Sequence, residues 1–202
     1  MIGIFRFGKV LPAYRPFLLF IWVGAGNELL SVVCISVTDN NVPNSNIYVL
    51  MEYLLLLYVF YNWNLAKTRK TKIRYLLLLS GGLSAWILDN LVVNSLFTIN
   101  CTFRVIYSII ILLLSINQIN KLTVFAKKKV TGDAMFQICM AFAFYFSYKA
   151  FIETFYILEM PFSKPFYLNC FIILLIINLL TNLIYAIAVL CMPTKREFIL
   201  PY

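Results

Sequence analysis

Six long apolar runs fill most of this chain, at about 16–37, 47–64, 75–93, 102–120, 134–158 and 167–192. Each approaches the ~20 residues that carry a helix across a ~30 Å hydrocarbon layer. Backbone N–H and C=O groups in such a layer must be satisfied within the segment, so helices are the expected form. The runs lack the alternation of barrel strands and are too long for them. With 62% hydrophobic and 12% charged residues and a mean hydropathy of +0.87, the composition belongs to the membrane class. The expectation is one all-α transmembrane domain over 1–202, a bundle of about six helices.

Charge sets an expected orientation. The formal net charge is +9, and 14 of the 17 Lys and Arg residues fall in four regions that six spans place on one side. Those regions hold Arg6, Lys9 and Arg15; Lys67, Arg69, Lys70, Lys72 and Arg74; Lys121, Lys127, Lys128 and Lys129; and Lys195 and Arg196. The opposite loops hold only Asp39, Glu159 and Lys164. By the positive-inside rule, both termini face the cytoplasm of a bacterial inner membrane. The positive charge is therefore read as an orientation signal and not as a nucleic-acid footprint. Anionic lipid at these loops is an expected by-product. The first apolar run contains Asn27 and Glu28 and no A-x-A-type site, so it reads as a span and not as a cleaved signal.

Six ionisable residues lie inside or at the ends of the runs: Glu28, Glu52, Asp89, Arg104, Lys149 and Glu153. A charge at membrane depth costs roughly 2.5–3.5 kcal/mol on insertion scales, so each needs a partner or a role. At 1.5 Å per residue, Glu28 and Lys149 fall roughly 13 Å from the outer face and Glu52 and Glu153 roughly 8 Å. Asp89 and Arg104 lie near outer ends. Polar residues also share helical faces: Gly24, Asn27, Glu28 and Ser31; Tyr48 and Glu52; Arg104, Ser108, Ser115 and Gln118; Tyr145, Lys149, Glu153 and Tyr156; Asn178, Thr181, Asn182 and Tyr185. Such faces should meet one another and avoid lipid. Gly81, Gly82 and Ala85 form a small face suited to close helix contact. The spacing predicts that Lys149 is held by Glu28 at equal depth and by Glu153 one turn away. The six charges then either fix helix register or line an outward-facing polar cavity with excess acid.

Several chemistries are excluded. Histidine is absent, so no Ser-His-Asp, Cys-His or His-metal site can form. No phosphate-binding glycine run is present. The five cysteines are scattered without C-x-x-C pairing. No catalytic residue, metal or cofactor is expected. A paired-carboxylate membrane hydrolase would need Glu52, Glu153 or Asp89 in contact.

SNIYVLMEYLLLLYVFYNW (45–63) and GDAMFQICMAFAFYFSYKAFIETFYI (132–157) resemble spans of small polytopic membrane proteins of Bacteroidota. In the second of these, Gly132-Asp133-Ala134-Met135-Phe136 stands where that group has an Asn-Pro-x-Phe-Trp-like entry. In size, span count and Asn-, Ile- and Lys-rich composition, the chain also resembles the multi-pass accessory proteins of type VI-B CRISPR loci. That resemblance implies modulation of RNA-guided interference, or membrane damage during defence, without the Arg-and-His motif of one accessory class. The functional expectation is a non-enzymatic regulatory or accessory membrane protein with a protein partner at the cytoplasmic face. The alternative is an oligomeric channel or pore, whose inner half would rest on Asn62, Ser115, Gln118 and Asn182.

Overall fold

In the computed structural model the chain is an all-α bundle, described for residues 7–64, 68–125, 130–158, 160 and 163–194. The long helices are α1 (Arg15–Thr38), α2 (Val42–Trp63), α3 (Arg69–Ile87), α4 (Thr102–Phe125), α5 (Ala134–Ile157) and α6 (Lys164–Cys191). They overlie the six apolar runs. Among the described residues no strand forms; Val10 and Thr194 make an isolated antiparallel bridge.

The helix starts follow from local chemistry. Pro16, Pro43 and Pro165 sit in the first turns of α1, α2 and α6, where a missing N–H leaves no bond unmade. The Thr68 hydroxyl accepts from the Thr71 amide at 3.3 Å and starts α3. Asp133 Oδ1 accepts from the Met135 and Phe136 amides at 2.7 and 3.2 Å and starts α5. Asp39, at φ 52°, ends α1 in the left-handed region, and α2 begins at Val42, so the two helices form a hairpin.

The bundle has two chemically distinct ends. At one, Leu11 donates to the Pro193 carbonyl and Lys121 Nζ reaches Asn64 Oδ1 at 3.3 Å. Arg69, Lys70, Lys72 and Arg74 are exposed there, at the start of α3. Lys67, Lys127, Lys128 and Lys129, the other expected members of the basic loops, lie outside the described residues. The other end is amide-rich. Asn46 Nδ2 donates to the Leu96 and Thr98 carbonyls, the Trp86 indole donates to the Asn46 carbonyl, and Asn100 donates to Asn90 Oδ1.

Among the described residues, five helices are long and apolar enough to cross a membrane: Pro12–Thr38, Arg69–Val93, Thr102–Val124, Ala134–Ile157 and Lys164–Cys191. The sixth, α2, falls outside that set. Its four tyrosines, three asparagines and Glu52 lower its apolarity. It packs against α1, α3 and α4, and buries Asn46, Glu52, Tyr53, Phe60 and Trp63 within the bundle. A helix walled by protein can be polar where a lipid-facing helix cannot. By contrast, α6 leaves Leu168, Leu175, Ile176, Leu179 and Leu183 exposed.

An aromatic core forms toward the basic end. Phe17 meets Tyr185 at 5.2 Å and Phe142 at 6.1 Å between ring centroids, and Phe142 meets Tyr185 at 5.6 Å and Phe60 at 5.9 Å. Most of these pairs are edge-to-face, the arrangement the ring quadrupoles favour. Close contact between α2 and α3 depends on Gly82, where an added Cβ would strike the buried Tyr53 ring. The Tyr53 hydroxyl donates to the Leu78 carbonyl on the same helix as Gly82.

Candidate functional site

Three helices bring one buried charge cluster together. Lys149 of α5 places Nζ 3.3 Å from Glu52 Oε2 of α2. The Tyr107 hydroxyl of α4 donates to the same oxygen at 2.6 Å and also contacts Lys149 Nζ. All three side chains are buried. The ammonium lies 5.5 and 5.8 Å from the ring centroids of Tyr145 and Phe146, within cation–π range. A buried ion pair needs extra hydrogen bonds to offset its desolvation, and Tyr107 supplies them.

This corrects the expected partners of Lys149. Glu52 takes the place of Glu28 and Glu153. Depth explains the difference. VPNSN reads as loop, but α2 starts at Val42, so Glu52 lies ten residues into the helix and not five. That places it about 15 Å from the helix start, level with Lys149, which is about 12 Å from the end of α5. Glu153 turns to Arg104 of α4 at 3.8 Å. Arg104 also donates to Ser45 Oγ at 2.9 Å and Asn46 Oδ1 at 3.1 Å.

Asp89 is not among the residues that line a cavity with Glu28 and Glu52. Its Oδ2 accepts from the Phe103 amide at 2.8 Å and its Oδ1 from Asn94 Nδ2 at 3.1 Å. It thus satisfies an orphan donor in the first turn of α4. The π-helical turn Leu88–Val93 that continues α3 holds Asp89 and its neighbour Asn90 inward together. Half-buried Cys101 lies just before α4. Burial, reinforced by the adjacent Glu153 carboxylate, pushes its thiol up to about 12.

A cavity of about 320 Å³ lies beside the charge cluster, between α1, α2, α5 and α6. Glu28 and Glu52 are its carboxylates, and Tyr48, Tyr145, Phe146 and Phe20 contribute aromatic wall. The polar face of α6 foreseen from spacing, Asn178, Thr181, Asn182 and Tyr185, lines the fourth side. Glu28 is exposed and has no ion pair among the described residues, while Glu52 is only 5% exposed. Thr181 and Tyr185 are 3% and 6% exposed, and their hydroxyls have no hydrogen-bond partner among the described residues. Of the α1 face, Asn27 and Ser31 instead accept from Asn44 Nδ2, both at 3.1 Å, closing the α1–α2 hairpin.

Tyr107 was not foreseen from the sequence. It follows Arg104 by one helical turn, so the signal was present in spacing, but its phenol was masked among the aromatics of an apolar run. The residues expected to carry water through the inner half do not assemble. Asn62 bonds the Tyr58 carbonyl, Ser115 the Ile111 carbonyl, Gln118 the Met135 sulfur and Asn182 the Asn178 carbonyl. The Phe17–Phe142–Tyr185 cluster stands between the cavity and the basic end. No protein-family model matches the chain, and no curated protein or solved structure matches it.

Proposed function

We propose that this chain is a multi-pass inner-membrane protein of the regulatory or accessory kind that binds a small cation in its outer half. The cavity carries the reading: it combines Glu28, a carboxylate without an ion pair among the described residues, with buried Glu52 and unpartnered hydroxyls. The basic end faces the cytoplasm under the positive-inside rule and offers Arg69, Lys70, Lys72 and Arg74 to a partner of opposite charge. The aromatic cluster below the cavity favours binding over conduction through one copy.

The test is thermal unfolding of the purified protein in lipid nanodiscs, titrated with inorganic and organic monovalent cations at constant ionic strength. Saturable stabilisation that disappears in Glu28→Gln is the expected outcome, since a ligand that binds only the folded state stabilises it by mass action. Unfolding temperatures that ignore every cation would refute the reading. Liposomes containing the protein should show no cation flux above empty liposomes.

A further inference from the structure

Resting on that cation-binding reading, we infer that the cavity takes a primary ammonium compound, a small organic amine, as its ligand. The protein itself holds one such group at this carboxylate. The Lys149 ammonium lies 3.3 Å from Glu52 Oε2, with Tyr145 and Phe146 at 5.5 and 5.8 Å from their ring centroids. Glu52, Tyr145 and Phe146 are also wall residues of the cavity. The set that receives the lysine head on one side therefore faces empty space on the other.

What the cavity adds is suited to N–H donors. An ammonium carries three donors and no acceptor. Glu28 offers a carboxylate without an ion pair among the described residues, and no hydrogen bond among those residues reaches Glu52 Oε1. Thr181 and Tyr185 are more than nine-tenths buried as residues, both line the cavity, and their hydroxyls have no partner among the described residues. A hydroxyl oxygen accepts as well as donates, so both oxygens are open to an N–H donor in the cavity. Phe20 and Ile21 provide an apolar surface for a carbon body. The volume of about 320 Å³ is at the small end of organic-ligand pockets, which run ~300–1,000 Å³. A divalent metal fits poorly: calcium takes six to eight oxygen ligands, and no group of three metal-ligating side chains forms among the described residues.

Benzylamine, benzyltrimethylammonium and potassium chloride separate the alternatives. They share one positive charge, and the first two share a ring, but only benzylamine has N–H donors. Calorimetric titration of the full chain in nanodiscs should show saturable benzylamine binding and at least tenfold weaker binding of the trimethyl compound. Glu28→Gln should weaken benzylamine at least tenfold without lowering the unfolding temperature of the empty protein. Thr181→Val should weaken it severalfold. Equal or tighter binding of benzyltrimethylammonium, or no effect of Glu28→Gln on benzylamine, would overturn the primary-amine assignment. Binding of potassium alone would overturn it while leaving the cation-binding reading intact. Binding of none of the three would overturn both.

Discussion

Lys149 Nζ and Glu52 Oε2 stand 3.3 Å apart across 97 residues of chain, with Tyr107 as their common hydrogen-bond partner. The triad ties α2, α4 and α5 together at one level of the bundle. Its members depend on one another, because each alone would be a polar group stranded among aromatic rings.

Glu52→Gln leaves the Lys149 charge without its counter-ion and should destabilise the protein by about 3–5 kcal/mol. Replacing both residues, as Glu52→Gln with Lys149→Met, should recover most of that loss. Chemical denaturation in detergent, read as a double-mutant cycle, measures the coupling. Independent, additive effects would show that the pair is not energetically linked.

Gly82 and Gly81 are adjacent but differ in surroundings. A Cβ at Gly82 meets the Tyr53 ring, whereas one at Gly81 meets nothing within 4 Å. Gly82→Ala should therefore cost about 1–3 kcal/mol through overpacking, and Gly81→Ala should be neutral or slightly stabilising. Paired unfolding curves of the two variants decide the point.

Asp89 acts as a cap supplied from another helix. Asp89→Ala removes the acceptor of the Phe103 amide and should cost about 0.5–2 kcal/mol. Hydrogen exchange at Phe103 should accelerate while exchange in the middle of α4 stays slow. Uniform acceleration along α4 would assign Asp89 a wider role.

Cys101 should be a sluggish thiol. A shift from 9.0 to about 12 cuts the thiolate fraction at pH 8 on the order of a thousandfold, and the thiolate is the nucleophile. Maleimide labelling at this position should be slow at pH 8 and rise steeply toward pH 12. Glu153→Gln should speed it by removing the neighbouring negative charge. The linkage has a definite sign: the folded state holds its proton more tightly, so this contribution to stability is full below pH 9 and falls as pH rises toward 12.

Orientation is testable with single cysteines on a background lacking the native ones. An impermeant thiol reagent should reach Ser95→Cys from outside intact cells and Lys70→Cys only after permeabilisation. The reverse pattern would invert the proposed topology.

The existence of the six helices was written in local chemistry, though not their exact starts: the runs at 47 and 75 begin as helices at Val42 and Arg69. Long apolar runs force helices, prolines and capping side chains start them, and polar side chains at helical spacing mark inward faces. The α6 face of Asn178, Thr181, Asn182 and Tyr185 was legible for that reason, since it follows from periodicity within one segment. The partnership of Lys149 was not. It depends on which helices are neighbours and on how far each slides along its axis, and a five-residue error in the start of α2 moves Glu52 by about 8 Å. Likewise Asp89 lies near a helix end in any reading, but only the π-helical turn aims it at the first turn of α4. Sequence by itself determined that helices form and which of their faces carry polar side chains, because those are local consequences of backbone and side-chain chemistry. Tertiary structure alone decided which charges meet and where a cavity remains, because pairing across helices depends on rotation, register and neighbour order, which no single segment encodes.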